Sequence, residues 1–271
     1  MPILNKDMTL CISLAARPSN IGTRFHNYLY DELGLNYIYK AFTTTDLPAA
    51  IGGVRALGIR GCAVSMPFKE DVIALVDRMD PSATAIDSVN TIVNDDGVLT
   101  AYNTDYLAVA RLLADHKVST DHTVLVRGSG GMAKAVVAAV RDSGFRDVTV
   151  VARNEEAGRA LAGLYGFAWR QEVGSSTAGL LINVTPVGMA GPDADEVSFP
   201  AAAIEAASVV FDVVALPSET PLIRAARAAG KPVITGAEVI ALQAEEQFVL
   251  YTGVRPSPEQ VAAAGEFSQQ G

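Results

Sequence analysis

Short apolar runs alternate with longer amphipathic segments along the first hundred residues of the chain. The short runs predict strands at residues 10–14, 37–42 and 61–66, and a three-to-four-residue apolar spacing predicts helices at 24–33 and 46–57. Pro67 is expected to open another helix, with Lys69 in its first turn, because the missing N–H of a proline would be unpaired there anyway. Apolar runs at 88–93 and 98–102 flank an Asn-Asp-Asp-Gly turn and predict a hairpin. This order is typical of an α/β domain with a mainly parallel sheet.

A second strand–helix rhythm follows a helix predicted at residues 104–116. Strands are predicted at 123–127, 147–152, 179–183, 208–213 and 232–235, with helices between several of them. Two further helices are predicted at 237–251 and 257–267. The spacing indicates a doubly wound, Rossmann-type nucleotide-binding domain, with a boundary near residue 104.

A glycine-rich loop joins the first strand of this second region to a helical segment. Its residues are Gly128, Ser129, Gly130, Gly131, Met132 and Ala133, a variant of the G-x-G-x-x-G pattern. The loop can present backbone N–H groups and a helix N-terminus to a diphosphate. A plain tight turn between a strand and a helix would produce the same sequence pattern. The next strand ends at Arg153 and Asn154, where NAD sites usually carry an acidic residue. A cation there suits a 2′-phosphate and predicts NADP.

Composition narrows the function classes. The 271 residues are 49% hydrophobic and 19% charged, which allows two ordinary domains, each with a core. A net charge of −9 argues against binding nucleic acid or an anionic membrane, and no apolar run reaches a membrane span. No signal peptide is expected at the N-terminus. Cys11 and Cys62 lie in apolar surroundings, which favours free thiols in a reducing cytoplasm over a disulfide. Three histidines and no clustered cysteines predict no metal site.

Lys69 and Asp105 are the candidates for acid–base chemistry. Each residue alone has an ordinary interpretation, a surface lysine and a carboxylate stabilised at a helix start. Both follow predicted strands, however, at the edge where α/β sheets bind ligands, and a lysine–aspartate pair there would suit proton transfer. Asn90 adds a polar group to an apolar run. Gln243 and Gln247, one helical turn apart, need either core partners or a ligand.

Several ordered motifs carry a resemblance to a known family. They are Ala-Val-Ser-Met-Pro-Phe-Lys at 63–69, Val-Asn-Thr at 89–91, Ala-Tyr-Asn-Thr-Asp at 101–105, the glycine loop, Ala-Arg-Asn at 152–154, Asn-Val-Thr-Pro-Val-Gly-Met at 183–189, the stretch 212–222, and Gly236 with Gln243. Over nearly its whole length the chain resembles shikimate dehydrogenase, and more closely the shikimate dehydrogenase-like branch of that family.

The resemblance implies an N-terminal α/β substrate domain at 1–103, completed by C-terminal helices at 237–271, and a Rossmann-type NADP domain at 104–236. It implies a cytoplasmic NADP-dependent oxidoreductase of aromatic amino acid biosynthesis, present as a monomer or homodimer. Hydride would pass between NADP(H) and a secondary alcohol or ketone of a shikimate-like ring acid. The protein would supply positioning and proton transfer.

The same resemblance assigns roles to individual residues. Lys69 and Asp105 would form the catalytic pair. The substrate would be held by Ser19, Asn20, Thr23, Ser65, Asn90, Asn103 and Gln243. The cofactor would be held by Gly128, Ser129, Gly130, Gly131, Met132, Ala133, Arg153, Asn154, Thr185, Met189, Val213 and Gly236.

One family motif is missing. The family normally shows Ser-x-Ser-Pro-x-x-His before its first helix, and the two serine hydroxyls hold the substrate carboxylate. Counting back from His26, this chain has Asn20 and Gly22 at the serine positions, although Ser19 and Thr23 still offer hydroxyls. Each charge-assisted hydrogen bond lost there would cost about 1.5–3 kcal/mol of binding. The substrate is therefore open between shikimate and a quinate or aminoshikimate-type acid. A non-catalytic NADP-binding sensor is a further alternative, which the retained Lys69 and Asp105 disfavour.

Overall fold

The computed structural model describes residues 4–270, which form two compact units. The first unit contains residues 4–104 and 241–270, and the second contains Asp105–Ile240. The strands are β1 Thr9–Leu14, β2 Tyr37–Phe42, β3 Gly61–Val64, β4 Arg78–Met79, β5 Thr91–Asp95, β6 Val98–Tyr102, β7 Val124–Arg127, β8 Val148–Val151, β9 Ala168–Arg170, β10 Leu180–Asn183, β11 Val209–Asp212 and β12 Val233–Ile234. The α-helices are α1 Asn20–Glu32, α2 Leu47–Ala56, α3 Pro81–Thr84, α4 Thr104–Asp115, α5 Gly131–Asp142, α6 Glu155–Tyr165, α7 Ala201–Ala206, α8 Pro221–Ala228, α9 Gly236–Thr252 and α10 Pro258–Ser268.

The first unit is built on a six-stranded mixed sheet in the order β2-β1-β3-β5-β6-β4. Strands β2, β1 and β3 are parallel, while β5 pairs antiparallel with both β3 and β6 and so forms the predicted hairpin. Because β1 and β3 are parallel neighbours, their carboxyl ends share one edge of the sheet. Backbone hydrogen bonds from Ser65 N to Leu14 O (2.9 Å) and from Ala16 N to Met66 O (3.2 Å) tie the two following loops together.

The helix predicted to open at Pro67 does not form. The chain instead makes turns through residues 67–70 and then a five-residue 3₁₀ helix at Asp71–Leu75. The carbonyl of Lys69 accepts a hydrogen bond from Val89 N at 2.9 Å, a long-range bond that replaces the one an α-helix would make. The expected position of Lys69 in a first helical turn was therefore wrong.

Helix α1 begins earlier than predicted. It starts at Asn20 rather than at residue 24, with Ser19 in the N-cap position. Asn20 and Thr23 therefore lie within the first turn of the helix and not in the loop that precedes it.

The second unit has a six-stranded parallel sheet in the order β12-β11-β10-β7-β8-β9. The central strand β7 leads through the glycine loop into α5, and the chain then returns to β8. Strand order reverses at β7, which is the switch point where doubly wound sheets bind ligands. The predicted α/β class with a Rossmann-type half is confirmed.

The buried cysteines are free thiols, as predicted. Burial raises the pKa of the Cys11 thiol to about 11. No helix within residues 4–270 has both the length and the apolar character needed to span a bilayer.

Candidate functional site

A buried polar cluster lies at the carboxyl edge of the first unit's sheet, centred on Asn90. The Asn90 side-chain oxygen accepts hydrogen bonds from Thr104 N at 2.8 Å, Thr91 Oγ1 at 2.9 Å and Thr104 Oγ1 at 3.2 Å. Asn90 is only 4% exposed. Its oxygen is thus committed to the protein, and a ligand would meet the amide nitrogen of this side chain.

The two glutamines of α9 join this cluster in different ways. Gln247 Nε2 donates to Thr91 Oγ1 at 2.8 Å and to Asn90 O at 3.3 Å, so Gln247 is a core residue with internal partners. Gln243 is half-buried and its Nε2 donates to Thr104 Oγ1 at 3.0 Å. This bond holds the Gln243 amide group beside Thr104 at the rim of the cluster.

His26 supports the cluster from the core and was not recognised from the sequence as more than a landmark. His26 is 1% exposed, and its ring stacks on that of Tyr39 with centroids 4.5 Å apart. Burial lowers the pKa of His26 to about 3, against an opposing side-chain hydrogen bond with Gln247. A neutral imidazole therefore orients Gln247, which in turn holds Asn90. The available sequence signal was its place on the buried face of α1, next to Phe25.

Lys69, Ser65 and Asn103 lie around the same cluster. Lys69 is half-buried, and its carbonyl bonds to Val89, the neighbour of Asn90. Ser65 is exposed at the end of β3, where Val64 N donates to Asn90 O at 2.8 Å. The Asn103 side chain donates to Ser88 O at 3.0 Å.

Asp105 follows the cluster residue Thr104 directly in the chain. It is the second residue of α4, belongs to the second unit and places a carboxylate in the first turn of that helix.

The segment that replaces the family's serine pair has two exposed polar side chains and one buried hydroxyl that is unpartnered within the described residues. The Ser19 side chain makes no capping bond to α1, and Ser19 and Asn20 are exposed. Within residues 4–270, Thr23 Oγ1 is buried and has no hydrogen-bond partner. A Cβ on Gly22 would lie 3.6 Å from Tyr39 Oη, an ordinary contact, so the absence of a side chain there is not forced by packing.

The glycine loop of the second unit forms an open cradle, and its residues fit a dinucleotide diphosphate. Gly128 has φ +125°, and a Cβ there would lie 2.7 Å from Val184 Cγ2, so only glycine is accommodated. Gly130 is the N-cap of α5 without a side-chain cap, and a Cβ on Gly130 or Gly131 would meet no atom within 4 Å. Backbone N–H groups at this helix start are therefore accessible to an anion.

The cradle opens into a cavity of about 890 Å³ that is contained in the second unit. Arg153, which is exposed, and Asn154 line one wall. The Asn154 oxygen caps α6 by accepting from Ala157 N at 3.0 Å, so a ligand at this wall would meet its amide nitrogen. Thr185 also lines the cavity, but its hydroxyl donates to Asn183 Oδ1 at 2.6 Å and shapes the loop.

The other predicted cofactor residues differ in what they expose. Met132 is half-buried. Ala133 lies in the first turn of α5 and is fully buried, so its side chain cannot reach a ligand. Met189 is 46% exposed. A Cβ on Gly236 would lie 2.4 Å from the backbone of Val214, so this glycine allows α9 to start against the loop after β11.

A buried carboxylate that was part of a sequence motif but had no predicted role fixes that loop. Asp212 is 0% exposed and accepts hydrogen bonds from Thr220 Oγ1 at 2.7 Å, Asn183 Nδ2 at 2.9 Å and Val214 N at 3.1 Å. Burial raises the pKa of Asp212, and the three hydrogen bonds oppose that rise. The network locks the ends of β10 and β11, and with them the positions of Thr185 and Val213.

Known proteins are similar to this chain in both sequence and fold. A family model described as the shikimate dehydrogenase substrate binding domain matches residues 20–92. The chain is 58% identical over 268 residues to a shikimate dehydrogenase-like protein of Haemophilus influenzae, which covers 98% of this chain and 99% of that protein. It is 36% identical over 250 residues to a shikimate dehydrogenase (NADP(+)) of Citrifermentans bemidjiense, covering 85% of each.

A solved structure extends the similarity to three dimensions. The shikimate 5-dehydrogenase of Thermus thermophilus, in complex with NADP(H) and shikimate, matches with a TM-score of 0.84 at 30% identity and covers 96% of this chain and 100% of that one. Since relatives above 30% identity cover most of both chains, this chain belongs to the shikimate dehydrogenase family.

Proposed function

We propose that this chain is an NADP-dependent oxidoreductase of the shikimate dehydrogenase type, which transfers hydride between NADP(H) and a secondary alcohol or ketone of a ring acid. The observation that carries the proposal is the fixed polar edge around Asn90, beside the Lys69 turn, in a chain related along almost its whole length to members of that family. A binding protein without turnover would have no need for Lys69 or Asp105.

We assign the substrate domain to residues 1–103 with 237–271 and the NADP domain to 104–236. The division of the described chain after Thr104 and after Ile240 supports this assignment. We further propose that the protein acts as a monomer or homodimer.

The cofactor belongs in the second unit. The backbone N–H groups of Ser129, Gly130 and Gly131 would hold its diphosphate, and Arg153 its 2′-phosphate, with Asn154 beside it. Thr185, Met189, Val213 and Gly236 would shape the rest of the site. When bound, the cofactor supplies the hydride acceptor or donor.

Proton transfer is assigned to Lys69. In the oxidation direction its neutral amine takes the proton of the substrate hydroxyl while the carbinol carbon gives up hydride. In the reduction direction its ammonium returns that proton to the carbonyl oxygen. Asp105 orients the lysine and accepts a hydrogen bond from a neighbouring substrate hydroxyl.

Substrate recognition is assigned to the polar edge and to the first turn of α1. The amides of Asn90, Asn103 and Gln243 would hold the ring hydroxyls, together with Ser65. The exposed side chains of Ser19 and Asn20, with the buried and unpartnered hydroxyl of Thr23 beside them, would hold the carboxylate in place of the serine pair.

The test follows NADPH absorbance with shikimate, quinate and their dehydro-acids, for the wild type and Lys69→Met. We expect turnover with at least one ring acid and a loss of about 10²–10⁴-fold in kcat for the variant, with NADPH binding unchanged. Turnover that does not depend on Lys69, or no turnover while NADPH still binds, would contradict the enzyme proposal.

The cofactor assignment has its own test. Arg153→Asp places a carboxylate where a 2′-phosphate would bind, so it should weaken NADPH much more than NADH. Equal effects on the two dinucleotides would contradict the 2′-phosphate role.

A further inference from the structure

We propose that Arg127 is a second cation for the 2′-phosphate of the adenosine ribose and acts beside Arg153 in the cavity of the second unit. The proposal rests on the NADP assignment above. The sequence analysis placed this residue at the end of the strand before the glycine loop and assigned it no role.

Arg127 is one of the residues that line the cavity of the second unit. It is the last residue of β7, and its register partners are Val151 on β8 and Asn183 on β10. The segments that follow those two strands, 152–154 and 184–187, line the same cavity as Arg127 itself. A side chain in this position lies between the two loops that would enclose an adenosine.

The charge of Arg127 is not neutralised by its hydrogen bond. Its guanidinium is half-buried and donates to the carbonyl oxygen of Ser198, an uncharged acceptor. Burial and the nearby positive charge of Arg153 both lower the pKa of Arg127, while Glu196 opposes them. Two cations that repel each other across one cavity are relieved by a dianionic group, and a phosphate monoester carries close to two negative charges.

The acidic surroundings explain why one arginine would be weak on its own. Glu155 and Glu156 open α6 immediately after Asn154, and three more carboxylates line the cavity, those of Glu172, Asp193 and Glu196. Arg153 is exposed and therefore screened by solvent and salt. Among the described lining residues, Arg127 is the one other cation, and its partial burial makes its field less screened.

The competing interpretation is that Arg127 only holds the loop at 196–200 through its bond to Ser198. A support of that kind would affect every adenine dinucleotide equally, since the loop borders the cavity as a whole. A phosphate partner would affect only the dinucleotide that carries the 2′-phosphate. The ratio of the two affinities therefore separates the interpretations.

Direct binding provides the readout. Trp169 is the single tryptophan of the chain, and its Nε1 donates to Ala152 O at 3.2 Å, one residue before Arg153. Energy transfer from Trp169 to a bound reduced dinucleotide gives Kd values for NADPH and NADH without any turnover. The variants are Arg127→Met, which keeps an apolar stem, Arg127→Lys, and Arg170→Met. Arg170 is a matched control, an exposed arginine that donates to Ser176 Oγ outside the cavity.

We expect Arg127→Met to raise the Kd of NADPH by about 10–100-fold, the usual effect of losing a charge-assisted hydrogen bond, and to leave the Kd of NADH within about threefold. Arg127→Lys should recover part of the NADPH affinity, and Arg170→Met should change neither value. Equal weakening of both dinucleotides, or no change in either, would overturn the proposal while the Arg153 assignment stands. A wild type that binds NADPH and NADH equally would contradict the NADP assignment itself and this proposal with it.

Discussion

The buried imidazole of His26 should make the first unit unusually sensitive to mild acid. Burial lowers the pKa of His26 to about 3, whereas a histidine in the unfolded chain takes up a proton near about pH 6.5. The neutral form is therefore favoured in the fold, and protonation favours unfolding. The stabilisation from this shift is fully present above about pH 6.5 and is lost as the pH falls toward about 3.

The size of the effect follows from proton linkage. Over this window the unfolded chain binds one proton that the folded chain does not, so the free energy of unfolding falls by about 1.4 kcal/mol per pH unit. From neutral pH to about pH 4.5 the loss is about 2.7 kcal/mol, a large fraction of the stability of an ordinary domain. Asp77 and Asp142 have pKa values lowered by their hydrogen bonds with Arg55 and Arg141 respectively, and both residues are the same in the two proteins compared below.

The assay is urea unfolding at about pH 7.5 and pH 4.5 for the wild type and His26→Phe. Phenylalanine keeps the stack on Tyr39 but cannot be protonated. The free energy of unfolding of the wild type minus that of the variant should therefore fall by about 2.7 kcal/mol between the higher and the lower pH. Near-ultraviolet circular dichroism of tyrosine reports mainly on the first unit, because six of the eight tyrosines lie there. Other titrating groups cancel in the comparison. Parallel pH profiles for the two proteins would refute the reasoning.

Two further changes test the substrate edge and the core beneath it. Gly22→Ser restores a family hydroxyl without a steric conflict, since its Cβ would stand 3.6 Å from Tyr39 Oη; it should lower the KM of a ring acid about tenfold at unchanged kcat, and Gly22→Ala should not. A Cβ on Gly61 would lie 2.3 Å from the Tyr251 ring, so Gly61→Ala should destabilise the protein to urea by about 1–3 kcal/mol. Adding Tyr251→Leu should recover part of that loss, and simple additivity of the two changes would contradict the steric explanation.

The elements that the sequence predicted well are those whose cause is local. Strand β2 was predicted at the residues where it forms, because its apolar run is bounded by turn residues on both sides. Helix α2 begins after Asp46, whose side chain accepts from Ala49 N at 3.0 Å as a helix cap. The segment after Pro67 was wrong because its conformation depends on the bond between Lys69 and Val89, twenty residues away in the chain.

In the site, too, features with a local cause were predicted and features that depend on distant residues were not. The glycine loop was identified from the sequence because its geometry is set by neighbouring residues. The hydrogen bonds from Gln247 to Asn90 and Thr91, by contrast, join positions that are 157 and 156 residues apart in the chain. Arg127 was overlooked because in one dimension it only ends an apolar run. Its significance comes from the loops of β8 and β10, which the parallel sheet brings to either side of it.

The groups assigned to the substrate hydroxyls and those assigned to its carboxylate are held very differently. Asn90 and Gln243 are fixed by hydrogen bonds to Thr104, so they are preorganised for a ligand before it arrives. Ser19 has no such support, and Thr23 Oγ1 is buried without a partner within the described chain. When an analogue lacks a hydroxyl, the fixed polar groups that would bind it are left unpaired, so the site rejects that analogue strongly. Weakly held groups discriminate little. The arrangement therefore favours recognition of a ring acid by its hydroxyl pattern more than by its acid group, which is how a member of this family can lack the serine pair and keep the rest of the substrate edge.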